Sequence, residues 1–110
     1  MRFQQARDED IGLSVIVLQE LLVGAHLSGV PSAALRIEAL AGRAQMIPFD
    51  QVSARYCAAI EAGLIKTGQR IGVRDAQIAA TALCHNWVLV THNTSEFERI
   101  SGLRVEDWQA

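Results

Sequence analysis

The sequence predicts an α/β fold in which a short parallel sheet is covered on both faces by helices, and three observations carry that prediction. Short apolar runs suited to strands alternate along the chain with stretches of helical period. Helices outnumber strands and separate each strand from the next, as the crossover connections of a parallel sheet require. The length of 110 residues suits a single domain spanning 1–110, since one core typically serves about 50 to 200 residues.

Composition narrows the class. Half of the residues are apolar, 20% are charged and the formal net charge is −2, which describes a globular chain rather than a disordered one. The chain has no basic footprint for non-specific nucleic-acid binding, so a nucleic-acid partner would have to be held locally, for instance through a metal. Cys57 and Cys84 form no Cys-x-x-Cys or Cys/His pattern, and no charged start leads into an apolar signal core. The cytoplasm is the expected compartment. The longest apolar stretch, Ile11 to Leu27, is broken by Gln19, Glu20 and His26 and falls short of a membrane span.

Taken in order, Met1 to Glu9 are polar and contain nothing shaped like a strand. Ile11 to Ile16 suits a short buried strand, and Val17 to Leu27 continues as a helix through Leu18, Leu21, Leu22 and Ala25. Ser28, Gly29 and Pro31 make a turn, after which Pro31 or Ser32 starts a helix whose Leu35, Ala39 and Leu40 are expected to face inward. Met46 to Phe49 reads as the second strand and Asp50 as the N-cap of a helix with Val52, Tyr56, Ile60 and Leu64 as its buried stripe, stopped by Gly68. A loop through Arg70 and Arg74 leads to Asp75, at the mouth of a helix rich in small residues: Ile78, Ala79, Ala80, Ala82 and Leu83. After a break at His85 and Asn86, Trp87 to Val90 reads as a buried strand ending at the polar cluster Thr91, His92, Asn93 and Thr94. Ser95 to Arg99 suggests a helical turn and Leu103 to Val105 a last strand.

Chemistry is sought at the edge where parallel strands end, because ligands of open α/β sheets sit there. Glu20 is the one charge in an otherwise core-like segment, with Ile16, Val23, Gly24 and Leu27 along its line of the helix. It either reaches water or an arginine at the helix edge, or it is a buried ligand, because a lone buried carboxylate costs several kcal/mol. Asp75 has an ordinary account as an acid in a helix first turn. Asn93 suits a turn after a strand, and Glu96 suits the first turn of the short helix that follows. The alternative joins them: all belong to one edge of a parallel sheet, where two carboxylates about 4 Å apart would repel by roughly 4 kcal/mol and would need a divalent cation. Oxygen ligands favour Mg²⁺ or Mn²⁺ over Zn²⁺. His26, His85 and His92 lack metal-ligand spacing, and no dinucleotide fingerprint, P-loop or nucleophile elbow is present. Lys66, Arg70 and Arg74 either touch nucleic-acid phosphate or simply solvate a loop.

The segments SVIVLQELLVGA (Ser14 to Ala25), IPFD (Ile47 to Asp50), IGVRDAQIAATAL (Ile71 to Leu83), VLVTHNTSEF (Val88 to Phe97) and GLRVEDW (Gly102 to Trp108) together resemble PIN domains, specifically the VapC-type ribonuclease toxins of bacterial toxin–antitoxin pairs. The resemblance covers nearly every residue from about Phe3 onward. It implies a PIN-like three-layer fold and an acidic Mg²⁺ pocket that cuts RNA, often tRNA. It also implies an antitoxin partner that blocks the pocket, and a homodimer is expected. Carried over by resemblance, Glu20 and Asp75 match metal-site acids, Asn93 matches a position held by Asp or Asn, Glu96 is a nearby acid, and Ser14 and Thr91 match polar residues lining the pocket. PIN domains open with a central strand ending in Asp-Thr-Asn, which this sequence lacks, since Asp8 and Asp10 precede the first strand rather than end one. The chain as written is therefore expected to be N-terminally incomplete and nearly inactive, and an upstream-extended version to cut RNA. The other reading is a remnant that binds antitoxin or oligomerises without cutting.

Overall fold

The computed structural model describes residues 12–91 and 94–106. Its elements run β1 (Gly12–Ser14), α1 (Val15–Ser28), α2 (Ala33–Arg43), β2 (Gln45–Ile47), α3 (Gln51–Lys66), α4 (Val73–Cys84), β3 (Leu89–Val90), α5 (Thr94–Phe97) and β4 (Val105–Glu106). Helices dominate, strands are short, and both strand pairs are parallel. The chain divides into two compact units, Gln4–Pro48 and a second that includes Phe49–Ala110.

In the first unit Ser14 turns strand into helix. Its backbone is extended (φ −64, ψ 140) and its hydroxyl accepts a hydrogen bond from the Ile16 N–H at 3.0 Å, so α1 starts at Val15 rather than at Val17. A side-chain cap of this kind takes one of the donors that a helix start leaves unpaired. Gly29 ends α1 with φ 72, a conformation that costs an L-residue roughly 1 kcal/mol or more. α2 packs back on α1, and β1 pairs with β2 in the register Gly12↔Gln45, Leu13↔Met46, Ser14↔Ile47. The inward face of α2 differs from expectation. Leu35 is 71% exposed and Ala39 is exposed, while Ala34, Ile37, Leu40 and Ala41 are half-buried. Both stripes satisfy helical spacing, and tertiary packing selects between them.

In the second unit Asp50 caps α3 as expected, its Oδ1 accepting from the Ser53 N–H at 2.9 Å. Past the other end of the helix, Gly68 takes φ 69. The buried stripe is Ser53, Cys57 and Leu64, whereas Val52 and Tyr56 are exposed. Ile60 and Leu64 face inward as expected, half-buried and buried, whereas in the first half of the helix the stripe moves by one residue, about 100°, from Val52 and Tyr56 to Ser53 and Cys57. The reason is size. α3 packs on α4, whose buried face is Ala76, Ala79 and Ala80, and small residues let two helix backbones approach closely.

α4 starts at Val73, two residues earlier than expected, with Gly72 as its N-cap. Asn86 follows the helix at φ 57, held by Arg104, whose Nη2 donates to the Asn86 carbonyl at 2.8 Å. β3 is shorter than the predicted strand at Trp87 to Val90 and pairs with β4 as Leu89↔Val105 and Val90↔Glu106. The single sheet expected from sequence is replaced, among the described residues, by two two-stranded parallel sheets, β1-β2 and β3-β4. No described strand belongs to both.

Candidate active site

Asp75 is the best-defined of the candidate residues. It is the third residue of α4, half-buried, in the turn whose N–H groups lack helical partners and carry the positive end of the dipole. The cap itself is Gly72, which has no side chain to offer, so Asp75 acts from inside the helix rather than as its N-cap. A Cβ placed on Gly72 would lie 3.7 Å from Asp75 Oδ2 and meet nothing else within 4 Å.

Thr91 follows β3 and is half-buried, its N–H donating to the Glu106 carbonyl at 3.0 Å and so extending the β3-β4 pairing. Glu96 lies half-buried in the first turn of α5. Asp75, Thr91 and Glu96 each have an interaction partner. Asn93 lies outside the described residues. Glu20, half-buried in α1, and Ser14, the α1 cap, belong to the first unit, and Asp75, Thr91 and Glu96 to the second. Among the described residues no three His, Cys, Asp or Glu side chains gather as a metal-binding group.

Two titratable groups are perturbed, and both shifts trace to packing around α3. The Ser53 N–H holds the Asp50 carboxyl below its usual range, with a smaller contribution from the charge of His85. The Ser53 hydroxyl lies close enough to add to this, but it makes no bond of hydrogen-bonding geometry. Burial pushes the Cys57 thiol up to about 11, helped by Glu61, whose carboxylate accepts from Sγ at 3.4 Å. His85 closes the end of α4, its Nδ1 lying 2.9 Å from the Thr81 carbonyl.

The sequence matches the family model described as PIN domain over residues 1–103. The chain belongs to the PIN domain family. Among its relatives, this PIN domain is 38% identical over 97 residues to the tRNA(fMet)-specific endonuclease VapC of Shigella flexneri, an overlap covering 87% of this chain and 74% of that one. A crystal structure of DNA-bound VapBC from Salmonella typhimurium superposes with TM-score 0.81 at 38% identity, covering 88% of this chain and 74% of that one. VapBC-1 of nontypeable Haemophilus influenzae gives TM-score 0.84 at 33% identity, covering 97% and 81%. The relatives carry the names ribonuclease and endonuclease. The α/β architecture and the family resemblance read from the sequence are both borne out. A group missed by sequence reasoning is Arg99, whose Nη1 approaches the Arg70 carbonyl at 3.5 Å. Only the fold brings those two segments together.

Proposed function

We propose that this PIN domain is the toxin of a toxin–antitoxin pair, a Mg²⁺- or Mn²⁺-dependent endoribonuclease whose substrate is RNA, with tRNA the first candidate. The observation that carries the reading is 38% identity, over most of the chain, to a tRNA(fMet)-specific endonuclease, beside an acid, Asp75, in the first turn of α4. Glu20, Asp75 and Glu96 are half-buried carboxylates, the oxygen donors that a hard cation takes, and among the described residues they do not gather as one metal-binding group. In this reading Glu20, Asp75 and Glu96 would hold the ion, Asn93 would orient a water, and Ser14 and Thr91 would line the pocket. A bound divalent cation supplies Lewis-acid polarisation of a phosphoryl oxygen and activation of water.

The antitoxin partner has its own support. Apolar residues occupy every side of α1, yet Val23 is exposed and Leu27 is 82% exposed, with Val30 and Leu35 exposed beside them in sequence. A helix apolar all round is normally covered, and an amphipathic antitoxin helix would cover this one. Val52 and Tyr56, one turn apart and exposed on α3, support the homodimer. The test is RNA cleavage with Mg²⁺, by the 110-residue chain and by a version extended upstream through a strand ending in Asp-Thr-Asn. Weak and strong cutting respectively are expected, both lost with chelator and reduced about a hundredfold or more by Asp75→Ala. If neither chain cuts while a small antitoxin still co-purifies, the nuclease reading falls and the binding-module reading replaces it.

A further inference from the structure

A cavity of about 360 Å³ opens between the C-terminal half of α3 and the turn after α5, lined by Ala59, Ile60, Gly63, Leu64, Gln69 and Arg99 among others. No role assigned above uses it. Its floor is apolar: Leu64 is buried, as is Ile100 beside Arg99, and Ala59 and Gly63 are small, with open space above Gly63. One cation, Arg99, lines it, and Arg70 follows the lining residue Gln69 in the chain. The Arg99 guanidinium has five donors and sends one long bond, 3.5 Å, to the Arg70 carbonyl. Arg70 and Arg99 are both exposed, and neither is paired with a carboxylate among the described residues. Arginine forks left open in this way match phosphate oxygens. The loop that walls the groove at Gln69 reaches Gly72 three residues later, and there the chain meets the Asp75 carboxylate.

We propose that this groove is a subsite for one nucleotide of single-stranded RNA flanking the scissile bond, with base or ribose on the α3 floor and phosphate on Arg99 and Arg70. The inference rests on the nuclease reading for its substrate, and on the groove alone for its residues. The volume lies at the small end for ligand pockets, which run from roughly 300 to 1,000 Å³, and suits a nucleotide better than a helix. The charge is local, in a chain of net charge −2, so binding there would depend on particular arginines rather than on a general field.

The experiment measures anisotropy of a labelled single-stranded RNA with the full 110-residue chain in chelator, so that cleavage cannot intervene. Circular dichroism checks that each variant is folded. Arg70→Ala/Arg99→Ala should weaken binding roughly tenfold and lower the salt slope by about 1.4, the value for two single-strand phosphate contacts. Gly63→Leu, which fills the groove from a helical position, should weaken binding similarly without changing charge. Arg36→Ala/Arg55→Ala, equal in charge lost, should stay within about twofold. Unchanged affinity in the groove variants, or an equal loss in the Arg36/Arg55 control, overturns the proposal. So does intact RNA affinity with loss of a co-expressed partner protein, which would assign the groove to a protein. Cleavage is read separately with Mg²⁺, where the groove variants should raise KM and spare kcat. Groove-dependent binding without cutting by either the 110-residue chain or the upstream-extended version defeats the nuclease reading alone, and cutting with unaltered binding and KM in the groove variants defeats the subsite alone.

Discussion

Ser53 is fully buried and its hydroxyl makes no bond of hydrogen-bonding geometry among the described residues, so its approach to Asp50 returns only part of its desolvation cost. Ser53→Ala removes that cost and adds a better helix former, and urea denaturation should show a gain of about 1 kcal/mol. One turn on, Cys57 is 4% exposed with its thiol pushed up to about 11. A raised thiol pKa means that the folded state resists deprotonation. Its contribution to stability is therefore whole below the unfolded value of 9.0 and is lost as pH rises from 9 through about 11. A thiol reagent at neutral pH should modify Cys84, which is half-buried and free, before Cys57, and should reach Cys57 only on unfolding. At this scale the sequence was informative about Asp75, whose setting in GVRDAQIAATAL places an acid at a helix start. It was silent about Arg99, because nothing local links it to a carbonyl 29 residues away.

Helix punctuation was legible and helix orientation was not. Asp50, Gly29 and Gly68 mark their boundaries by chemistry that acts within a few residues, and each does so in the structure. For α2 and α3 the period alone could not say which of two neighbouring stripes is buried. Leu35, Val52 and Tyr56 are apolar and exposed, while the buried α3 stripe begins with Ser53 and Cys57. Burial was decided by closeness of approach to α4, which favours small side chains. Two glycines at the end of α1 make the local rules testable. Gly24 is helical, with open space where a Cβ would stand, so Gly24→Ala should raise stability by roughly 0.5–1 kcal/mol. Gly29 sits at φ 72, so Gly29→Ala should lower it by about 1 kcal/mol. Equal signs in thermal melts of the two variants would contradict the backbone argument.

Across the whole molecule, fold class and parallel strand direction followed from alternation of elements, and the PIN family from five short segments in order, because both are properties of spacing that one chain displays. The proposed roles of Glu20, Asn93 and Glu96 rest on that resemblance, since each also has an ordinary local role that spacing cannot separate from catalysis. The expectation of one sheet gave way to two pairs because strand pairing depends on what lies between the strands, which the sequence of each strand does not encode. Each pair is only two or three residues long, and two-stranded ribbons of such length are marginal in water by themselves. Native-state amide exchange should reveal this directly. Protection should be deepest through α3 and α4, while the amides of Leu89 and Val90 exchange sooner through local opening, and equal protection in both would contradict it. A partner that adds a strand to either ribbon would then announce itself as slowed deuterium uptake at these residues, before any change in shape could be seen.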